Sequence, residues 1–219
     1  MARMQVENAI ANSDGNGKPL AIIADVDDTL LLSPAYWGYL VSEGRDFFED
    51  GAWDEWIRDN ETVPSPGAEA FLQFCFENSV EVFYVTNRDQ GADTYSLALN
   101  NLAAAGFPFA DAEHLTVLRE TSNKQVIQDG IREDYEVVAL LGDNLNDFSR
   151  RYYVTDVEQR SELMDEDSSL FGTQYILFPN PTDGHWIRAI FGESEPSPTA
   201  ENRQTLDAAA RRNSWQPRN

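Results

Sequence analysis

Three short apolar runs in this chain of 219 residues each end in polar side chains that can do chemistry. The three segments are Asp25-Val26-Asp27-Asp28-Thr29, Thr86-Asn87-Arg88 and Gly142-Asp143-Asn144-Leu145-Asn146-Asp147. A carboxylate can act as a nucleophile, a proton carrier or a metal ligand, and a hydroxyl group can donate to an anionic oxygen. Lys124, which opens a helical pattern before the third run, adds an ammonium group. This combination suits attack on a phosphate ester, whose oxygens carry negative charge.

Asp25 and Asp27 are predicted to divide the work of ester cleavage between them. A phosphate monoester hydrolyses very slowly, so a protein must supply an in-line nucleophile, neutralise the phosphoryl oxygens and protonate the leaving oxygen. Asp25 is the predicted nucleophile, because an aspartyl-phosphate splits one difficult step into two easier ones. Asp27 points the same way if this segment is extended. It is the predicted general acid and base, in a site where neighbouring carboxylates help it to hold a proton.

Several carboxylates at one place would repel one another unless a cation lay between them. Oxygen ligands together with a phosphate oxygen favour a hard divalent ion, Mg²⁺ before Ca²⁺. The predicted metal ligands are the carboxylates of Asp25 and Asp143 and the backbone carbonyl of Asp27. We place Asn144 and Asp147 behind these ligands, with Asp147 holding a bound water or Lys124.

The groups that would bind the phosphate are predicted to be Thr86, Asn87 and Lys124. Thr86 would donate to one phosphoryl oxygen, and Lys124 would neutralise another and shield Asp25 from its anionic target. Single residues allow other interpretations: an Asp-rich turn or Thr86 can merely cap a helix, and Arg88 can either bind substrate or form a structural ion pair. The chain has only two lysines, so a lysine at this position favours a role in the site.

The elements that must position these residues alternate along the chain. Apolar runs typical of buried strands cover residues 20–24, 80–85, 115–118, 137–141 and 175–178, and helical patterns cover 67–78, 92–105, 124–133 and 147–153. Strands that alternate with helices predict an α/β fold with a doubly wound, mostly parallel, Rossmann-like sheet. In such a sheet the sites form outside the carboxyl ends of the strands, where the polar segments lie.

The predicted phosphatase-like domain covers residues 19–192. One stretch within this domain and one stretch after it do not follow the alternation. Residues 31–66 are too long for a simple connection and rich in aromatic side chains, so we predict a small helical cap insertion over the site. Residues 193–219, with scattered charges and prolines, are predicted to be flexible or partly helical. Aromatic side chains are more often core than ligand contacts. The candidates for the substrate pocket are Tyr36, Trp37, Arg88, His185 and Trp186.

In their order along the chain, these segments resemble the four motifs of haloacid dehalogenase superfamily phosphatases: Asp-x-Asp-x-Thr, Thr, Lys and Gly-Asp-x-x-x-Asp. Within this superfamily the sequence most resembles the class C acid phosphatases, the lipoprotein e group. The segments that carry this resemblance are residues 22–30, 83–88, 142–148 and 178–186. The resemblance implies that superfamily's fold and a magnesium-dependent phosphomonoester hydrolase. The superfamily's dehalogenases lack the second aspartate, here Asp27, which favours phosphate over haloacid as substrate.

Charge and hydropathy restrict the partners. Sixteen basic residues against 38 acidic ones give a net charge of −22, which weighs against binding a nucleic acid polymer. No apolar run is long enough for a membrane span, so a soluble chain with small phosphomonoester substrates is expected. Class C members usually begin with a signal, a lipid-attachment cysteine and a longer helical region, which this sequence lacks. The resemblance therefore implies a periplasmic or cell-surface location if a signal or lipid anchor was removed, and a cytoplasmic location otherwise. The oligomeric state is open, with a homodimer as one option.

The expected activity is broad hydrolysis of small monoesters, as in an acid phosphatase or a 5′-nucleotidase. Two alternatives remain open at this stage. The first is a phosphotransferase that passes the phosphoryl group to an alcohol, which the sequence does not separate from a hydrolase. The second is a binding module that kept the fold without turnover, although no member of the catalytic set is substituted.

Overall fold

The structure, a computed structural model, describes residues 1–180, 182–212 and 214–215. Its strands are β1 (Leu20–Ala24), β2 (Leu31–Leu32), β3 (Val63–Pro64), β4 (Glu81–Asn87), β5 (Leu115–Leu118), β6 (Glu136–Gly142) and β7 (Tyr175–Leu177). Its helices are α1 (Ala2–Asn12), α2 (Pro34–Ser42), α3 (Asp50–Trp56), α4 (Ala68–Glu77), α5 (Thr94–Ala104), α6 (Gln125–Asp134), α7 (Val157–Glu166), α8 (Trp186–Phe191) and α9 (Ala200–Arg211). Pro181, which lies in one of the segments that carry the family resemblance, and much of the chain end after residue 212 lie outside the described residues.

A parallel sheet forms the centre of the fold, and in the described residues it has five strands in the order β5-β4-β1-β6-β7. Alternate side chains of β1 enter two different cores. Ile22 and Ala24 pack with α1, α4 and α5, while Ala21 and Ile23 pack with residues of α6 and α7. Helices therefore cover both faces, and each strand can be apolar throughout because neither face meets water. This confirms the predicted α/β class with a doubly wound, parallel sheet.

The strand predictions agree with the structure to within two residues at each end, and three of the four predicted helices correspond to α4, α5 and α6. The predicted helix 147–153 is wrong. Two short 3-10 helices, Leu145–Asp147 and Arg150–Tyr152, occupy this region. Side chains compete with helix hydrogen bonds here, since Asp147 Oδ2 accepts from the Asn144 backbone N–H at 2.9 Å and the Ser149 hydroxyl accepts from the Arg151 N–H at 3.4 Å.

Three helices had no counterpart in the sequence-based prediction: α1, α7 and α8. The α1 helix begins at the second residue and packs on the sheet, with Val6 fully buried and the Gln5 amide donating to the Val138 carbonyl at 3.2 Å. Val6 is the only buried residue of this helix, so the sequence has no clear apolar stripe that would have predicted it. In the C-terminal region, which was predicted to be flexible or partly helical, α9 covers Ala200–Arg211.

Residues 31–66 leave the sheet after β1 and contain α2 and α3 between the two strands of an antiparallel ladder, in which Leu31 pairs with Pro64 and Leu32 with Val63. These helices share a small aromatic core of their own. The domain limits at 19–192 and the separate status of residues 193–219 stay predictions. In the part of the chain that the structure describes, none of the helices has the length and apolarity that crossing a bilayer requires.

Candidate active site

The carboxyl ends of β1, β4 and β6 open into a cleft of about 390 Å³. Since β1 pairs with both other strands in parallel, the residues that follow these strands lie at one edge of the sheet. Most of the predicted site residues line the cleft together: Asp25, Asp27, Trp37, Thr86, Asn87, Arg88, Lys124, Asp143, Asn144, Asp147 and His185. Tyr36 and Trp186 do not.

Asp25 and Lys124 form the buried centre of the site. Lys124 Nζ lies 2.5 Å from Asp25 Oδ1 and 2.8 Å from Asp147 Oδ1, and Asp25 and Lys124 are only 8% and 6% exposed. Burial raises the pKa of Asp25 to about 7; Lys124 opposes this shift, and Asp147 and Asp27 add to it. Burial disfavours the charged lysine, but Asp147 and Asp25 outweigh that effect and raise the pKa of Lys124. The ammonium group is therefore a fixed positive charge beside the predicted nucleophile.

Asp143 is held on one side by two amides. Asn144 Nδ2 donates to Asp143 Oδ2 at 3.0 Å, and Asn180 Nδ2 donates to the same oxygen at 2.6 Å. The Thr29 hydroxyl lies 3.1 Å from Asp143 Oδ1 and 3.0 Å from Asp25 Oδ2, so it spans the two carboxylates. With Oδ2 fixed by amides, Oδ1 is turned toward Asp25.

The donor set suits a hard divalent cation. Carboxylate oxygens of Asp25, Asp143 and Asp147 lie within 4.8 Å of one another, and burial raises the pKa of Asp143 well above its usual value, with Asp147 and Asp25 contributing. Three carboxylates exceed the single charge of Lys124, so a cation between them would relieve the repulsion. Both Asp147 oxygens already accept hydrogen bonds, from Lys124 and from the Asn144 N–H. Asp147 therefore contacts Lys124, which is one of the two alternatives, a bound water or Lys124, in the sequence-based hypothesis.

Asp27 is paired with an arginine. Arg88 Nε and Nη2 donate to the two Asp27 oxygens at 2.7 and 2.6 Å, and the Thr86 hydroxyl donates to Asp27 Oδ2 at 3.2 Å. Arg88 also donates to Asn101 Oδ1 at 2.7 Å, which fixes the guanidinium between α5 and the site. The expected neighbours of Asp27 were carboxylates. The closest charged group is instead a cation, so the structural ion pair left open for Arg88 is the one observed.

The remaining predicted phosphate ligand, Asn87, makes contacts that organise a loop. Its amide donates to the Thr121 carbonyl at 2.7 Å and lies 3.5 Å from the Leu118 carbonyl. These bonds tie the end of β4 to the loop that leads from β5 to Lys124. Asn87 therefore lines the cleft with its amide hydrogens already used by the protein.

The segment after β1 continues along β6 at Asp25, whose N–H donates to the Leu141 carbonyl at 2.9 Å, and then turns at Asp28. Val26 between them is fully buried, so the two aspartates share the opposite, cleft-facing side, as predicted. Asp28 follows in the left-handed region, with φ 54°, which aspartate tolerates better than most residues. Its carboxylate accepts from the Ser33 hydroxyl at 2.5 Å and from Trp37 Nε1 at 3.4 Å. These bonds tie the turn to α2, whose Trp37 lines the cleft.

Adjacent residues of α2 have different environments. Tyr36 is 1% exposed; its hydroxyl accepts from the Glu49 N–H at 2.9 Å, and its ring contacts the rings of Trp53 and Trp37 at centroid distances of 5.1 and 5.0 Å. Tyr36 is therefore part of the buried cluster of Tyr36, Leu40, Trp53 and Ile57, which we call the cap core. Trp37 lines the cleft together with Phe48 and Trp53, neither of which was among the predicted pocket residues.

The loop after β7 contributes to the cleft through Asn180, Asp183 and His185. Burial raises the pKa of Asp183 to about 6 and lowers that of His185 to about 4, so His185 is neutral at physiological pH. Trp186 donates from Nε1 to the Asp183 carbonyl at 2.8 Å and supports this loop from outside the cleft. Asn180 was missed as a site residue, although the rule that polar residues after a strand form the site applies equally to β7.

Comparison with known proteins agrees with this geometry. The family model described as HAD superfamily, subfamily IIIB (acid phosphatase) matches residues 2–186. Two solved structures of the class C acid phosphatase from Bacillus anthracis, one of them with tungstate bound, are similar to this chain with TM-scores of 0.85 and 25% sequence identity. Each match covers 99% of this chain and 87% of the other. The resemblance in the motifs is thereby confirmed: the chain belongs to the acid phosphatases of HAD subfamily IIIB and is a phosphomonoester hydrolase.

Proposed function

We propose that the protein hydrolyses small phosphate monoesters with Mg²⁺ through an aspartyl-phosphate on Asp25. One observation carries this proposal: the buried Lys124 bridges Asp25 and Asp147 while Asp143 lies within 4.8 Å of both. A helix-capping role for these aspartates would not bring them together around one buried ammonium group. The arrangement instead places a nucleophilic carboxylate beside charges that can receive an anionic group.

The first half-reaction transfers the phosphoryl group to the protein. A carboxylate oxygen of Asp25 attacks phosphorus in line with the ester oxygen, and the bond from phosphorus to that oxygen breaks. The leaving oxygen takes a proton from Asp27. Lys124 compensates the negative charge of the phosphoryl oxygens. The Thr86 hydroxyl group breaks its hydrogen bond to Asp27 and donates to one of these oxygens instead.

The second half-reaction releases phosphate. Asp27, now ionised, takes a proton from a water molecule, whose oxygen attacks phosphorus as the bond to Asp25 breaks. Free phosphate leaves, and both carboxyl groups return to their starting states. Because Arg88 grips both Asp27 oxygens in the substrate-free protein, this ion pair must loosen for Asp27 to carry its proton. Opening of this ion pair is therefore part of the catalytic cycle.

The proposed metal ligands are the carboxylates of Asp25 and Asp143 and the backbone carbonyl of Asp27. Mg²⁺ bound there supplies charge neutralisation for the phosphoryl oxygens. The class C acid phosphatase from Bacillus anthracis binds tungstate, a tetrahedral oxyanion like phosphate, which is in line with an oxyanion-binding role for this chain.

The proposed substrates are chemically varied, with aryl phosphates and 5′-nucleoside monophosphates among them. Trp37, Phe48 and Trp53 give the cleft an aromatic wall that can contact a ring of the leaving group. Release of free phosphate from p-nitrophenyl phosphate, measured with Mg²⁺ and with EDTA, tests the activity. More nitrophenol than phosphate in the presence of an alcohol would identify a phosphotransferase, and no product at all would identify a binding module.

The roles of the two aspartates are separated by the ester used. Asp25→Asn should abolish turnover of every ester, because an amide cannot accept the phosphoryl group. Asp27→Asn keeps the nucleophile and loses the proton carrier. p-Nitrophenolate leaves almost unaided, so this variant should release a burst of close to one equivalent of nitrophenol and then turn over slowly. Acid-quenched protein should carry phosphate on Asp25.

An alkyl phosphate is the contrasting substrate, because its poor leaving group requires the proton. Asp27→Asn should therefore lose far more activity on glycerol phosphate than on the aryl ester. Equal losses on the two esters without a burst, or residual turnover by Asp25→Asn, would show that the roles are misassigned.

A further inference from the structure

Three arginines stand apart from the rest of this acidic protein. Of the arginines in the described residues, all form an ion pair with a carboxylate except Arg150, Arg160 and Arg188. In a chain of net charge −22, unpaired guanidinium groups are unexpected because carboxylates are abundant. The lack of a carboxylate partner for Arg160 is explained by its surroundings. Arg160 is buried and donates to the Tyr152 carbonyl at 2.6 Å and to Asn146 Oδ1 at 3.1 Å. Arg150 and Arg188 need another explanation.

These two arginines share one tyrosine ring. Arg150 Cζ lies 3.6 Å and Arg188 Cζ 4.5 Å from the centroid of the Tyr153 ring. Stacking on an aromatic ring orients a guanidinium group and leaves its N–H groups free at the edge. The Arg188 Nε atom is buried and has no hydrogen-bond partner in the part of the chain that the structure describes. We call Arg150, Tyr153 and Arg188 the arginine pair with its platform.

This platform borders the cleft. Arg150 Nη1 donates to the Ser122 hydroxyl at 3.0 Å, and Ser122 lines the cleft two residues before Lys124. The Tyr153 ring lies 5.2 Å from the ring of His185, which also lines the cleft. Burial opposes ionisation of Tyr153, but the neighbouring Ser194 and Ser122 hydroxyls and the two guanidinium groups outweigh it and lower the pKa of that hydroxyl.

The arginine pair lies beside a cleft whose own cations are already paired. Arg88, Arg119 and Lys124 line the cleft and form ion pairs with Asp27, with Asp89, and with Asp25 and Asp147. Among the described residues, neither Arg150 nor Arg188 has a carboxylate partner of this kind. An anionic group of a bound molecule would give them one, and guanidinium groups bind carboxylate and phosphate oxygens through paired hydrogen bonds.

We propose that Arg150 and Arg188 bind a second anionic group, a carboxylate or a phosphate, on the leaving group of the monoester substrate. This inference rests on the proposed function, because it assigns the scissile phosphate to Asp25. It narrows the substrate class: among otherwise similar esters, those with a second oxyanion should be selected by this side of the cleft. Tyr153 is a positioning residue, since it orients both guanidinium groups.

The test uses matched pairs of aryl phosphates. The 2-, 3- and 4-carboxyphenyl phosphates are each compared with their methyl esters, which have the same shape near the ring and no second charge. The readout is the ratio of kcat/KM for the acid to kcat/KM for the methyl ester, so a general loss of activity cancels. In Arg150→Gln and in Arg188→Gln this ratio should fall by about tenfold for at least one isomer, as expected for loss of a charge-assisted hydrogen bond. Arg150→Lys should lose less.

The control is Arg132→Gln, which removes the same charge from a half-buried residue of α6 that pairs with Asp129. It should leave the ratio unchanged, because the long-range field changes equally while the cleft does not. A ratio that changes less than twofold in both cleft variants for all three isomers overturns the inference. The inference is also overturned if free benzoate binds more weakly to Arg150→Gln than to the wild-type protein while the carboxylated esters have no higher kcat/KM than their methyl esters. Failure of the proposed function gives a different result, since Asp25→Asn would then still release phosphate from these esters.

Discussion

Gly142 is the last residue of β6, and the Asp147 side chain fills the space beside its Cα. A Cβ atom at this position would overlap the Cβ and the carboxylate carbon of Asp147. Asp147 holds Lys124, so we expect Gly142→Ala to displace both charges from Asp25. Steady-state kinetics should show a loss in kcat of about 10²-fold, the scale reported for small misplacements of catalytic groups. Stability should fall by about 1–3 kcal/mol, as for other overpacked sites.

Gly130 in α6 offers the matched control, because no other described atom would lie within 4 Å of a Cβ at this position. Gly130→Ala should keep full activity and gain about 0.5–1 kcal/mol from its better helix propensity. If Gly142→Ala is as active as Gly130→Ala, Asp147 does not position Lys124 in the manner described.

At the scale of an element, two neighbouring residues of α2 are expected to differ, with Tyr36 contributing to stability and Trp37 to substrate contact. Tyr36→Ala removes the central ring of the cap core and the hydroxyl that binds Glu49, so it should cost about 3–5 kcal/mol in a chemical unfolding experiment. Trp37→Ala removes a cleft wall instead. Its KM for an aryl phosphate should rise severalfold, with little change for glycerol phosphate.

This prediction depends on the leaving group contacting α2. Equal rises in KM for aryl and alkyl esters in Trp37→Ala would mean that the indole ring acts on the phosphate site, for example through its bond to Asp28. A Tyr36→Ala protein of unchanged stability would contradict the cap core as described.

At the scale of the whole molecule, stability should depend on pH through buried carboxyl groups. Burial raises the pKa of Asp25 from 3.8 to about 7 and that of Asp183 to about 6, and raises that of Asp143. Since the folded protein holds these protons more tightly than the unfolded chain, their stabilisation is complete below about pH 4 and is lost as the pH rises to about 7. In EDTA, the Tm should therefore fall between pH 4.5 and 7.5.

Mg²⁺ should counteract that fall, because it binds the ionised carboxylates of the folded state. The increase in Tm on adding Mg²⁺ should be larger at pH 7.5 than at pH 4.5, and Asp143→Asn should reduce it. Asp183→Asn should flatten the slope below pH 6 without affecting the metal response. A Tm in EDTA that rises steadily across this range would contradict the raised pKa values.

The net charge gives a second prediction for the whole molecule. A body of charge −22 repels a dianionic substrate, and raising the salt from 10 to 150 mM shortens the screening length from about 30 to about 8 Å. With Mg²⁺ kept saturating, KM for p-nitrophenyl phosphate should therefore fall over this range. A KM that rises steadily with sodium chloride would show that local charges at the site outweigh the global field.

The sequence by itself determined the fold class and most of the site. Parallel strands bring their carboxyl ends to one edge, so Asp25, Thr86 and Asp143 could be expected together from their positions after apolar runs. The alternation of side chains along an extended segment likewise put Asp27 beside Asp25 with Val26 turned away. These inferences need only local patterns and one general rule of topology.

Only the tertiary structure decided which side chains pair. The ion pair between Arg88 and Asp27 joins residues that are 61 apart in the chain, and the hydrogen bond from Asn180 to Asp143 joins residues that are 37 apart. No local sequence pattern encodes such pairings. The same is true of Tyr36 and Trp37, whose aromatic character is equal while one faces the cap core and the other the cleft. Such choices depend on which groups the folded chain brings within about 3 Å, because hydrogen bonds and ion pairs lose most of their strength beyond that range.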